Sequence, residues 1–169
     1  MLLILRVYCI LVSDDNSREG TVLMDPKELK QVLHTLHRYF IWANRMRIHF
    51  YELVPKIASN PNPDRFTDEA IEADMYMSLW YGELYVVVEG FQELGLSDPG
   101  IDALFASPNL DLLRRYRNGV FHFQKEYFDE RFIKFIRDGE NAASWVSDLT
   151  QALGTYLLRE LNRRPSESP

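Results

Sequence analysis

The chain has 169 residues, 46% of them hydrophobic and 13% aromatic, and carries a formal net charge of −6 at pH 7. This length suits one domain with a sizeable core, and the composition excludes an intrinsically disordered chain. The negative charge argues against broad, sequence-indifferent nucleic-acid binding but leaves room for a local cationic site. With Cys9 as the single cysteine, no intrachain disulfide or cysteine-based metal cluster can form, and a cytoplasmic location is expected.

Residues 1–12 form an apolar run, MLLILRVYCILV, that is interrupted by Arg6. It is shorter than the ~20 residues of a transmembrane helix, and it lacks the cationic start and small-residue cleavage site of a secretory signal. Two interpretations stay open. The run packs on the body or on a partner chain, or it is an upstream extension before Met24 as the natural start. Residues 1–23 are therefore an uncertain N-terminal extension, and no membrane partner is expected.

Capping signals and helical spacing of apolar residues predict several helices. The first has Asp25 as its N-cap and ends where Pro55 stops or kinks it. The second follows Thr67, and its almost entirely apolar middle, residues 75–91, predicts a central helix. The predicted helices are Asp25–Val54, Asp68–Leu94, Pro99–Ala106, Asn109–Asn118, Phe128–Arg137 and Asn141–Arg164.

These elements predict an all-α fold, an up-and-down bundle of four to five main helices with short extra helices. The helical domain is expected to span residues 25–164, followed by a mobile tail at 165–169. His34 and His37 lie one turn apart on the first helix, a spacing that a metal can use, but no third ligand is evident. No metal and no cofactor are therefore expected.

One segment, residues 112–127 (LLRRYRNGVFHFQKEY), combines cations, a histidine and aromatic residues more densely than any other. Histidine exchanges protons near neutral pH, and arginine offers a planar fork to phosphate oxygens. In RNA the 2′-hydroxyl is a built-in nucleophile, so Arg117 and His122 would need no metal to form a 2′,3′-cyclic phosphate. The expected substrate contacts, cationic or stacking on bases, are Arg114, Arg115, Tyr116, Lys125 and Tyr127.

Glu83 and Glu89 interrupt the apolar central helix. An unpaired carboxylate is costly there, so each is expected to reach solvent or an arginine. A sharper hypothesis is that Glu83 orients the basic cluster.

The run from Arg117 through Asn118 to His122 resembles the Arg-x4–6-His signature of the HEPN superfamily, in which a polar residue often follows the arginine. Residues 79–91 and 127–135 resemble its abortive-infection branch. The resemblance implies a helical bundle that dimerises, joins two motifs in one cleft and cuts RNA without metal. It assigns Arg117 to the phosphate, His122 to proton transfer and Asn118 to positioning. Gln124 stands where the branch paired with a nucleotidyltransferase often has tyrosine, which counts against that toxin–antitoxin pairing.

Two functions follow as hypotheses. The first is a homodimeric, metal-independent endoribonuclease, as a toxin or phage-defence effector, with a protein antitoxin or inhibitor as a further partner. The alternative is a catalytically silent module that binds RNA, a nucleotide or a protein. A purely structural interpretation also stays open, in which Arg117 pairs with Glu83 or Asp111 and His122 caps a helix.

Overall fold

The computed structural model describes residues 25–60, 67–127 and 129–163, and all regular structure in these ranges is helical. This confirms the predicted all-α fold. The expected N-terminal extension and C-terminal tail lie outside the described residues. Within the described ranges, no helix combines the length and apolarity that a bilayer crossing requires. The helices are α1 (Pro26–Ala58), α2 (Asp68–Glu93), α3 (Pro99–Phe105), α4 (Asn109–Phe121), α5 (Glu130–Asp138) and α6 (Ala142–Asn162).

Helix α2 is the centre of the bundle, as its apolar sequence predicts. On one side it meets α1, where the Trp80 and Phe50 ring centroids lie 6.1 Å apart and Leu36 packs over Gly90. On the opposite side it meets α4, where Tyr81 lies 5.4 Å from Tyr116. Helix periodicity places these two sets of α2 residues about half a turn apart around the axis. α1 and α4 therefore flank α2 on opposite sides.

Helix α6 covers a third side of α2. Tyr156 packs edge-on against Phe91, with ring centroids 4.9 Å apart, and Trp145 donates a hydrogen bond to the Leu104 carbonyl. One stripe of α6 faces the core. The stripe residues, all buried in the core, are Trp145, Leu149, Leu153, Tyr156 and Leu157.

The main differences from the predicted helix ends are in α1, α4 and α5. α1 continues past Pro55 to Ala58, because a proline in the last turn costs one backbone hydrogen bond and its fixed φ suits the helix. α4 continues through Gly119 to Phe121, since the Phe132 ring packs against Gly119 where a Cβ would lie only 3.0 Å from it. α5 begins at Glu130 because the Asp129 side chain caps it. Tertiary contacts and caps therefore outweigh intrinsic propensity at these points.

Leu84→Ala tests the central role of α2. Leu84 is fully buried, so the cavity left by truncation should lower the free energy of unfolding by about 2–5 kcal/mol. Leu158→Ala on α6 makes the same change at a side chain that is 53% exposed, and should cost about 0.5 kcal/mol or less. Urea denaturation followed by circular dichroism measures both. Equal costs would contradict the buried position of α2.

Candidate functional site

Helix α4 holds the candidate site because one of its faces is anchored in the core. Leu113 and Tyr116 are buried, and Gly119 lets α5 approach through Phe132. The Tyr116 hydroxyl lies 3.0 Å from the Ser78 hydroxyl, so the ring cannot rotate outward without losing this hydrogen bond. This fixes the register of α4 against α2.

Arg117 is the most tightly held cation of the site. Its Nη2 donates to a Glu89 carboxylate oxygen, and its Nη1 donates to Asn118 Oδ1 at 3.0 Å. The guanidinium carbon lies 5.5 Å from the centre of the Tyr85 ring. The side chain is only 22% exposed, and its Nε is buried without a hydrogen-bond partner. The group is therefore fixed in place, and Glu89 offsets part of its charge.

The carboxylate that orients Arg117 is Glu89, so the hypothesis for Glu83 is wrong. One carboxylate oxygen of Glu83 is buried without a hydrogen-bond partner, and burial raises the pKa of this side chain. The two glutamates are six residues apart and so point about 120° apart around α2. Glu89 shares a helix face with Gly82 and Tyr85, both of which meet α4. The sequence shows that these residues share one face of α2, but it does not show that α4 packs on this face.

Arg114 and Arg115 are both tied to Asp111 in the first turn of α4. Arg114 donates to Asp111 Oδ1 at 2.6 Å, and Arg115 lies 2.8 Å from Oδ2. The hydrogen bond from Arg114 is the main reason that the pKa of Asp111 is lowered. All three side chains are about half exposed, so these pairs are weak and exchange readily with another anion. Asp111 therefore pairs with these two arginines, and Arg117 pairs elsewhere.

His122 follows the last residue of α4, as the sequence predicts, and it is exposed. No described residue forms a hydrogen bond with its imidazole ring. Its backbone carbonyl accepts a hydrogen bond from the side-chain amide of Gln124, which also lies within 3.5 Å of the Asn118 and Gly119 carbonyls. Gln124 thus satisfies carbonyls that a helix C-terminus leaves open, and it fixes the chain where His122 leaves α4.

The remaining predicted contacts separate into two groups. Tyr116 is 1% exposed and packs among Tyr81, Phe132 and Phe135, so the expectation that it stacks on a base is wrong. Lys125 and Tyr127 are exposed in the connection from α4 to α5. Phe123 in the same connection is 92% exposed and was not among the predicted contacts.

A large open groove lies away from Arg117 and His122. It has a volume of about 850 Å³ and lies between the start of α2 and α5, lined in part by Ile71, Asp74, Tyr127 and Ile136. Among the predicted site residues only Tyr127 reaches it. In the described part of the chain, no three His, Cys, Asp or Glu side chains are grouped as a metal site would require.

No family model, no curated protein and no solved structure matches the chain.

Glu83→Gln tests the unpartnered carboxylate. Because burial raises the pKa of Glu83, the folded state binds this proton more tightly than the unfolded chain. The wild type should then lose stability relative to the variant as pH rises from about 3 through the ordinary glutamate value of about 4.3 to neutrality. We expect equal stability near pH 3 and a more stable variant at pH 7, measured by urea denaturation at both pH values.

Glu89→Gln is the matched control, with the same substitution on the same helix. It weakens a charge-assisted hydrogen bond to half-buried Arg117, so the free energy of unfolding at pH 7 should fall by about 1–3 kcal/mol. A wild type more stable than Glu83→Gln at pH 7 would contradict the assignment of the two side chains.

Proposed function

We propose that this protein is a metal-independent endoribonuclease of HEPN type. One observation carries the proposal: Arg117 is held by Glu89, Asn118 and Tyr85 at the end of the helix from which the exposed His122 emerges. A fixed guanidinium and an accessible imidazole on one short segment are the two groups that cleavage of an RNA phosphodiester needs.

The chemistry follows from the substrate. The 2′-hydroxyl oxygen attacks the adjacent phosphorus while the bond to the 5′-oxygen of the next nucleotide breaks. His122 accepts the 2′-hydroxyl proton or gives a proton to the leaving oxygen, and Arg117 stabilises the charge on the non-bridging oxygens. The products are a 2′,3′-cyclic phosphate and a 5′-hydroxyl. Asn118 holds Arg117 through its Oδ1, which is the positioning role that the HEPN resemblance suggests.

The free protein is not ready to bind phosphate without rearrangement. Glu89 occupies one edge of Arg117, and Asp111 occupies Arg114 and Arg115. A phosphate must replace these carboxylates or approach beside them. The exposed Asp111 pairs cost little to exchange, whereas the half-buried Glu89 pair costs more.

That same pairing favours a second candidate, a catalytically silent module that binds RNA, a nucleotide or another protein. If Glu89 keeps Arg117 neutralised, the site binds weakly and does not turn over. RNA affinity without cleavage, lost in Arg114→Ala with Arg115→Ala, would support this candidate.

His122→Ala in an RNA cleavage assay separates the two. The assay contains EDTA and uses structured and unstructured RNA. General acid–base catalysis contributes typically 10²–10⁴-fold, so we expect the rate to fall by about 100-fold or more. Arg117→Ala should have a similar effect. His49→Ala removes another histidine, on α1, which pairs with Glu52, and should leave the rate unchanged.

A substrate with 2′-deoxyribose at the cleaved position provides the chemical control, because it lacks the nucleophile and should remain intact. Equal cleavage by the wild type and His122→Ala would refute the assignment of His122.

The proposal includes a homodimer that brings two copies of the site together. Each of the two proton transfers, from the 2′-hydroxyl and to the leaving oxygen, then has its own imidazole, one from each copy of His122. Trp80 and Trp145 are buried within the chain and give no reason for a second copy, whereas Phe123, next to His122, is 92% exposed and can be covered by one. A toxin or phage-defence role, a protein antitoxin or inhibitor, and a cytoplasmic location belong to the same proposal.

Sedimentation velocity tests the dimer. We expect a dimer at micromolar concentration that weakens in Phe123→Ser, because this substitution removes a large exposed apolar ring next to His122. Ile136→Ser is the control, at another apolar side chain that is 60% exposed, and should leave the dimer intact. Monomer alone at micromolar concentration would contradict a shared two-motif cleft.

A further inference from the structure

Helix α1 carries a row of basic residues on its outer face. Lys27, Lys30, His34, Arg38 and Arg45 recur at intervals of three, four, four and seven residues, so all five point away from the core side marked by Ala43. Lys56 continues the row, which extends over ~44 Å at the helical rise of 1.5 Å per residue. We call these six residues the α1 stripe. α1 contains six Lys and Arg residues against two Glu, a net +4, whereas the whole chain carries −6.

Among the described residues, the Lys and Arg side chains of α1 have no carboxylate partner, whereas all of those outside α1 except Lys125 have one. Every Lys and Arg on α4, α5 and α6 lies within ion-pair distance of an Asp or Glu. No Lys or Arg on α1 does; the one acid–base pair there joins His49 and Glu52. The positive charge of α1 is therefore available to an external anion.

Arg38 is the centre of the α1 stripe. Its guanidinium carbon lies 5.6 Å from the centre of the Tyr39 ring and 5.5 Å from that of Trp42, and the two rings pack edge-to-face. The rings support the planar group while its N–H edge remains free for phosphate oxygens. Trp42 is itself 47% exposed, so one aromatic surface beside the cation remains open to a base.

We propose that the α1 stripe binds the sugar–phosphate backbone of single-stranded RNA, with Trp42 as a stacking surface. Unpaired cations in a row, with an aromatic ring among them, are the combination that single-strand binding uses. An anionic membrane fits less well, because an interfacial helix inserts an apolar face and that of α1 is already buried in the core through Leu36, Ala43 and Leu53.

The α1 stripe also lies within reach of the candidate site. Leu36, half a turn from Arg38, packs on Gly90, the neighbour of the Glu89 that holds Arg117. α1 and α4 flank α2 at this level, so their axes are separated by two interhelical spacings, ~16–20 Å, and the α1 stripe, on the side of α1 away from α2, lies farther from the site than that. A single strand that contacts both must therefore pass around α1. The choice of RNA rather than another polyanion rests on the proposed function.

The experiment measures binding apart from cleavage. Lys30→Gln, Arg38→Gln and Arg45→Gln are combined in the His122→Ala background, so that the RNA stays intact. The probe is a fluorescein-labelled, unstructured RNA of about 20 nucleotides, a length that covers several single-strand sites, followed by anisotropy over a range of salt concentrations. Gln is a good helix former, and circular dichroism confirms that α1 folds.

Each phosphate contact contributes about 0.7 to the slope of log affinity against log salt for single strands, so three lost contacts should lower the slope by about two and the affinity by about tenfold or more. The matched control, Arg131→Gln, Lys134→Gln and Arg137→Gln on α5, removes the same net charge from paired cations and should change the affinity by about twofold or less. Trp42→Leu should weaken binding by about fivefold or more, in line with the loss of one stacked base.

Equal loss in both triple variants would overturn the proposal, since only net charge would then matter. So would an absence of RNA binding in the His122→Ala parent, or a stripe-dependent affinity for phosphatidylserine vesicles with RNA binding unchanged. Cleavage by the wild type is measured separately. If the wild type does not cleave RNA, the binding result for the α1 stripe remains valid. If the stripe substitutions do not weaken binding, the cleavage result for His122 remains valid.

Discussion

The burial of α2 is the constraint on which the rest of the molecule depends. A helix that is apolar on most of its circumference must be covered on several sides, and here α1, α4 and α6 cover it. The cover leaves α1 and α4 on opposite sides of one rigid element. The candidate site on α4 and the cations of α1 are therefore fixed relative to each other through α2.

At the candidate site, the contacts that fix the position of Arg117 also offset part of its charge. Arg117 could not be half-buried without compensation, because an isolated charge loses much of its hydration energy there. Glu89, Asn118 and Tyr85 supply that compensation and give the guanidinium one orientation. The same contacts offset part of the charge of the guanidinium, so it attracts a phosphate less strongly. Glu83 shows what happens without a partner: a raised pKa and a buried oxygen with no hydrogen bond.

Much of the fold was predictable, because it depends on local signals. Asp25 and Thr67 cap α1 and α2 as expected, and the apolar run of α2 marked it as the central helix. The misses at the candidate site depend on which helix faces which. Tyr116 looks like a substrate contact beside three arginines until α2 and α5 close over it. Propensity and spacing along one helix do not contain that information.

The net positive charge of α1 and the net negative charge of the whole chain show that charge is distributed unevenly over this molecule. A polyanion at long range meets a net charge of −6 and is repelled, but within a Debye length, about 10 Å at 0.1 M salt, it meets the local +4 of α1. Encounters are then orientation-selective, because α1 attracts the polyanion while the net charge of the whole chain repels it. Moderate salt screens the distant repulsion before it weakens the close attraction, and the pI of about 5.2 says little about which surface an anionic chain finds first.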